Sequence, residues 1–167
     1  MSEHRTDNQT AVAAEGVLLD IAVAPAAATI EAEARDIISR AIRAADAAAG
    51  PVEGIVSVLV EDDAAIRELN RQWRGIDSPT NVLCFPAAAT PSLAPRHLGD
   101  IAISYETTIR EAQAEARPFA HHLAHLAVHG FLHLLGYDHQ SDRAAGEMED
   151  LERKILARLD IPDPYAI

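Results

Sequence analysis

Hydrophobic and polar positions alternate along this chain in blocks that change period, and the changes mark its elements. Gly16 to Val23 is rich in Val, Leu and Ile and is stopped by Pro25, which predicts a first strand. Ala26 to Ala49 is helical by propensity, with Ile30, Ile37, Ile38, Ala41 and Ile42 forming an apolar stripe that Gly50-Pro51 ends. Val52 to Val60 is a nearly continuous apolar run and reads as a second strand. Asp62 or Asp63 is placed to cap a helix reaching about Gln72, followed by a turn-rich loop from Trp73 to Thr80. Asn81 to Phe85 predicts a third strand and Asp100 to Ser104 a fourth. The long connection from Pro86 to Leu98 between them has the length of a functional loop. Helices follow over Glu106 to Arg117, from Pro118 to Leu135, and from about Ser141 to Leu159, the last with Met148, Leu151, Ile155 and Leu159 as its core stripe.

Strands and helices intermix, without repeat or domain break. The expectation is a single α/β domain of α+β-like character over residues 16–167, with a small mixed four-stranded sheet, about five helices and two or three layers. Residues 1–15 are polar and aperiodic and read as a disordered tail.

Composition narrows the chemistry. Cys84 is the only cysteine, so no intramolecular disulfide forms and no cysteine-based zinc site exists; a metal must be held by His or carboxylates. There is no secretory h-region and no run of about 20 apolar residues for a membrane span, so the default location is the cytoplasm. The net charge of −12 argues against coating nucleic acid by bulk attraction. Local sign differs: between Arg71 and His97 stand Arg71, Arg74 and Arg96 against Asp77 alone, while acids concentrate at Glu61-Asp62-Asp63 and from Asp142 to Glu152.

The run His129-Gly130-Phe131-Leu132-His133-Leu134-Leu135-Gly136-Tyr137-Asp138-His139 carries the strongest functional signal. His129 and His133 lie one helical turn apart on one face. Gly136 tolerates the left-handed conformation that ends a helix, so His139 can swing back beside them. Three imidazoles on one ion with a fourth position free for water is the layout of a catalytic zinc site. His125 continues the ladder backwards but sits too far from His133 and His139 to share the ion, each step climbing about 6 Å; a substrate-facing role, an orienting role and a plain packing role all stay open for it. Zinc proteases of the metzincin type share the spacing and carry Glu directly after the first His as general base. Here that position is Gly130.

His129 to His139 resembles the signature of the bacterial YbeY endoribonucleases. So do Leu69-Asn70-Arg71-Gln72-Trp73-Arg74-Gly75-Ile76-Asp77-Ser78-Pro79-Thr80-Asn81-Val82-Leu83-Cys84-Phe85-Pro86, Leu98-Gly99-Asp100-Ile101-Ala102-Ile103-Ser104 and the terminal Asp163-Pro164-Tyr165. The chain departs from the family pattern at Cys84, where Ser is usual, and at Trp73, where Tyr or Phe is common. The resemblance implies a single-domain α/β fold, Zn²⁺ or a similar divalent ion at His129, His133 and His139, and cleavage of single-stranded RNA in ribosomal RNA maturation. It points to Arg74 as the functional arginine. The implied partners are a ribosomal RNA precursor and the ribosome or its small-subunit proteins, with no membrane and no organic cofactor.

In that setting Arg74 can hold a phosphate through two N–H donors while the metal acts as Lewis acid or activates water. Arg71 is placed either to line the same groove or to remain on the surface. Asp138 either orients an imidazole or closes an Asx turn. Trp73 reads as a core or loop-packing aromatic, Tyr137 as packing, Asp77 and Asn81 as loop-shaping and Asp100 as structural. No evident general base is left, which makes metal-bound water the candidate. Two other readings stand beside the ribonuclease: a peptidase sharing the metal cage, and a non-enzymatic ribosome-assembly factor whose metal locks a helix end.

Overall fold

The structure is a computed structural model that describes residues 16–88 and 96–166. The tail expected over residues 1–15 lies outside the described residues, as do 89–95 of the long connection. Four strands form one mixed sheet: β1 (Val17–Val23), β2 (Gly54–Glu61), β3 (Val82–Pro86) and β4 (His97–Ser104), in the order β1-β2-β4-β3. β1, β2 and β4 run parallel, and β3 closes one edge antiparallel to β4, with Val82 opposite Ile103 and Phe85 opposite Asp100. Five helices pack with it: α1 (Glu31–Ala49), α2 (Asp63–Arg74), α3 (Tyr105–Ala114), α4 (Phe119–Leu134) and α5 (Asp142–Arg158).

The pattern of β2 sorts its residues between the two faces of the sheet. Val56, Val58 and Val60 are buried and meet α1, α4 and α5 in the main core with Ile38, Ile42, Ile101, Ile103, Phe131, Leu132, Ile155 and Leu156. Ile55, Ser57 and Leu59 point the other way, toward the face that α2 covers through Ile66 on Leu83 and Ala102. The buried Asp46 of α1 fastens the start of the sheet: its two oxygens accept the N–H groups of Val17 and Val52, each at 3.0 Å. Such bonds offset the cost of placing a carboxylate inside.

The caps follow the sequence closely. Asp62 accepts from Ala65 N at 2.9 Å and Ser141 from Ala144 N at 3.0 Å. Three boundaries shift by three residues or more, one of them the helix expected to reach Arg117, which ends at Ala114. Pro25 to Ile30 forms a 3-10 helix that breaks helical geometry at Ala27, so α1 begins only at Glu31. β4 begins at His97, three residues before the expected Asp100, because parallel pairing to Ile55 and Val56 carries the ladder across Leu98 and Gly99. The cost of Gly in a strand is outweighed here by close approach: a Cβ on Gly99 would lie 2.6 Å from the Phe85 carbonyl oxygen.

Candidate metal centre

Helix α4 crosses under the sheet beside β3 and β4, and its C-terminal turn reaches the β3 edge. The helix stops by a reciprocal pair of bonds: Gly136 N donates to His133 O at 3.0 Å and Tyr137 N to Leu132 O at 3.1 Å. Gly136 sits at φ +106°, and this reversal brings the following segment back alongside the helix. Asp138 accepts from Gln140 N at 3.0 Å, so the Asx turn is the role it takes. The result is a tight triad. Ring centroids of His129 and His133 lie 4.7 Å apart, His129 and His139 5.0 Å, His133 and His139 5.3 Å. One nitrogen from each falls within 4.8 Å of the others, and no fourth His, Cys, Asp or Glu joins them among the described residues.

The donor set suits a borderline divalent ion such as zinc. Metals bind neutral imidazole, and His133 is shifted that way: burial lowers its pKa, and the neighbouring His129 and His139 lower it further. His129 donates through Nδ1 to Glu152 Oε2 at 2.5 Å, leaving Nε2 as its free nitrogen. Glu152 is wholly buried in α5. Burial pushes its pKa up, yet hydrogen bonds from His125, His129 and Tyr165 outweigh this and hold it at about 2. Glu152 is a residue that sequence reasoning missed. The signal was its place four residues after Met148 and three before Ile155, an acid on an apolar stripe.

The triad opens on a cleft of about 250 Å³ whose lining includes His129, His133, Arg74, Val82, Leu83 and Cys84. Arg74 is the last residue of α2, which Gly75 ends in the left-handed conformation at φ +72°. Neighbouring cations are engaged: Arg67 grips Asp77 through two bonds of 2.7 and 3.2 Å, and Arg71 pairs with Glu68. Among the described residues Arg74 makes no ion pair. Arg71 is therefore tied to the surface of α2, and Asp77 ties the loop to α2 through Arg67 rather than by the side-chain to backbone bond expected of it. Asn81 also shapes it, bonding Val82 N at 2.7 Å and Glu111 at 3.0 Å.

Cys84 faces the cleft with its thiol pushed up to about 12 by burial, a protonated and unreactive group at neutral pH. Its sulfur and Ile101 occupy the space beside Gly130, where a Cβ would come within 3.0 Å of Ile101 and 3.4 Å of Cys84. Gly130 thus lets α4 pack closely on the sheet, and a side chain in its place meets Ile101 and Cys84. Trp73 departs from its expected packing role: it is 68% exposed, touching Phe85 edge-on at 6.0 Å, on the open side of the sheet. His97 lies on that side too, 3.4 Å from Ser57 Oγ, outside the cleft. Tyr137 packs against the core as expected.

The model for the family described as Endoribonuclease YbeY matches residues 20–160. The chain belongs to the YbeY family of endoribonucleases. It is 60% identical to the Endoribonuclease YbeY of Nitrobacter hamburgensis, over 81% of this chain and 75% of that one. With the protein of the same name from Rhodopseudomonas palustris strain BisA53 it shares 58% identity over 81% and 83% of the two chains. With that of Chelativorans sp. the values are 52% over 89% and 93%. The solution structure of TM1509 from Thermotoga maritima shares the fold, with a TM-score of 0.52, 21% identity and coverage of 90% of this chain and 99% of that one. The single mixed-sheet α/β domain expected from the sequence and the YbeY membership agree. No described helix is long and apolar enough to cross a membrane.

Proposed function

We propose that this YbeY protein is a zinc-dependent endoribonuclease that cuts single-stranded RNA, with His129, His133 and His139 holding the ion and Arg74 binding the scissile phosphate. Its substrate is a ribosomal RNA precursor, cleaved toward the 3′ end of the small-subunit (16S) RNA and in ribosome quality control, in the cytoplasm and in contact with the ribosome or its small-subunit proteins. The observation that carries this reading is one cleft lined by His129, His133 and Arg74, an arginine without an ion-pair partner among the described residues.

Cleavage of a phosphodiester passes through a state more negative than the ground state, so a cation placed beforehand lowers the barrier. Arg74 offers forked N–H donors to two phosphate oxygens and is not committed elsewhere. Val82, Leu83 and Cys84 of β3 line the same cleft. When bound, zinc contributes Lewis-acid polarisation of a phosphate oxygen and activation of water. The lining residues named for the cleft include no carboxylate.

Gly130 disfavours the peptidase reading: the metzincin arrangement carries a carboxylate there, and a Cβ at Gly130 already meets Ile101 at 3.0 Å and Cys84 at 3.4 Å. The discriminating experiment offers zinc-loaded protein a single-stranded RNA, the matching duplex and an unfolded protein substrate, before and after chelation. The proposal expects cleavage of the single strand above all, lost on chelation. Peptide turnover without RNA cleavage would favour the peptidase, and a zinc-loaded protein inert on RNA that unfolds on chelation would favour the assembly factor.

A further inference from the structure

Behind the triad, on the side away from the cleft, lies a polar network made of α5, α4 and the last residues of the chain. Glu152 has two oxygens, and each has its own partner. Oε2 takes the Nδ1 proton of His129 at 2.5 Å. Oε1 takes the hydroxyl proton of Tyr165 in a short bond, with His125 Nε2 more distant at 3.4 Å. Tyr165 is itself held in place. Its N–H donates to Asp163 at 2.8 Å, Arg153 reaches Asp163 at 3.1 Å, and Arg117 donates to the Pro164 carbonyl at 2.9 Å. The Arg153 guanidinium lies 5.3 Å over the Tyr165 ring, and His125 meets that ring edge-on at 5.5 Å. A terminal segment that only filled space would not need to aim a phenol at a buried carboxylate.

We propose that Glu152 and Tyr165 form a clamp that fixes His129 as the Nδ1–H tautomer with Nε2 directed at the metal, making the Asp163-Pro164-Tyr165 turn a positioning part of the metal centre. A neutral imidazole carries one proton, and the nitrogen without it is the ligand. An ionised Glu152 accepts only, so the proton is held on Nδ1 and the lone pair stays on Nε2. The Tyr165 hydroxyl occupies the other oxygen and keeps the carboxylate from rotating away from His129. Carboxylate–histidine pairs of this kind orient metal ligands and raise their basicity.

The inference rests on His129 being a metal ligand, so wild-type zinc binding is measured first and decides that separately. Glu152→Gln presents either an oxygen or an NH₂ group to Nδ1, so both tautomers become available. Tyr165→Phe keeps the ring and removes the proton donor. In metal-free protein, two-bond ¹H–¹⁵N spectra of the histidine rings report the tautomer of His129 without reference to activity. Competition with a chromogenic chelator reports zinc affinity. Wild type is expected to show a pure Nδ1–H tautomer. Glu152→Gln is expected to mix the two forms and weaken zinc binding about 10–100-fold, and Tyr165→Phe to do the same to a smaller degree. Should Glu152→Gln fail to fold, Tyr165→Phe carries the test. A folded Glu152→Gln with unchanged tautomer and affinity overturns the clamp, and an unchanged Tyr165→Phe overturns the part assigned to the terminal turn.

Discussion

The two halves of helix α4 carry the same residue type and serve different ends. In the first half His122 is buried, with Nε2 2.8 Å from Glu111, which also accepts from Asn81; the ring ties α4 to α3 and to the approach of β3. His125 turns to Glu152 and Tyr165. In the second half His129 and His133 each present a nitrogen to the cleft, and the chain reversal at Gly136 adds His139. A ladder of histidines at helical spacing is thus not a ligand set by itself. What separates the halves is where the remaining nitrogen lies: His122 and His125 each leave a buried Nδ1 without a partner among the described residues, whereas His129 and His133 line the cleft within reach of His139.

Substitution at the two ends tests that division most sharply. His129→Ala is expected to lose RNA cleavage to background and zinc at one equivalent, with circular dichroism unchanged; retention of both would erase the distinction between the halves. Arg74→Ala is expected to keep zinc and fold while lowering kcat about 10²–10³-fold, the usual cost of removing a donor aimed at developing charge. Arg71→Ala, whose partner is the exposed Glu68, is expected to leave both stability and cleavage nearly intact. Steady-state kinetics on one single-stranded RNA compares the two arginines directly.

At the other end of α4, His122→Ala is expected to retain zinc and activity per folded molecule and to lose about 2 kcal/mol of stability, through a cavity and a broken bond to Glu111. Urea unfolding with a zinc titration separates this outcome from that of His129→Ala. A smaller loss of stability than for His122→Ala is expected for Gly130→Ala. Its methyl group meets the fully buried Ile101, an overpacking cost of about 1–3 kcal/mol. Better helix propensity returns about 1 kcal/mol, leaving a net loss near ~1 kcal/mol that a thermal melt resolves.

Much of this was legible in the sequence because the relevant forces are local. A nearly continuous apolar run placed β2, caps placed the starts of α2 and α5, and the histidine spacing with Gly136 placed the triad. The stripe of α5 was read as Met148, Leu151, Ile155 and Leu159, but Glu152 and Leu156 are more buried than Leu151 and Leu159. An acid within the acidic stretch 142–152 has the look of a solvated face, and only the partners it meets across 13 to 27 residues of chain make its burial tolerable. The start of β4 was hidden for a related reason: Gly99 is poor in strand propensity, and pairing with β2 and β3 overrides it. The commitment of Arg71 to Glu68, against the freedom of Arg74, is likewise a matter of side-chain partners that spacing leaves open.

X-ray absorption at the zinc edge of the loaded wild-type protein reaches the central claim most directly. A first shell of nitrogen and oxygen scatterers alone, with the multiple-scattering signature of three imidazoles and one further oxygen from solvent, is the predicted result. A sulfur contribution from Cys84, a fourth imidazole, or fewer than three would contradict the assignment of His129, His133 and His139 to an ion that stays open to the cleft.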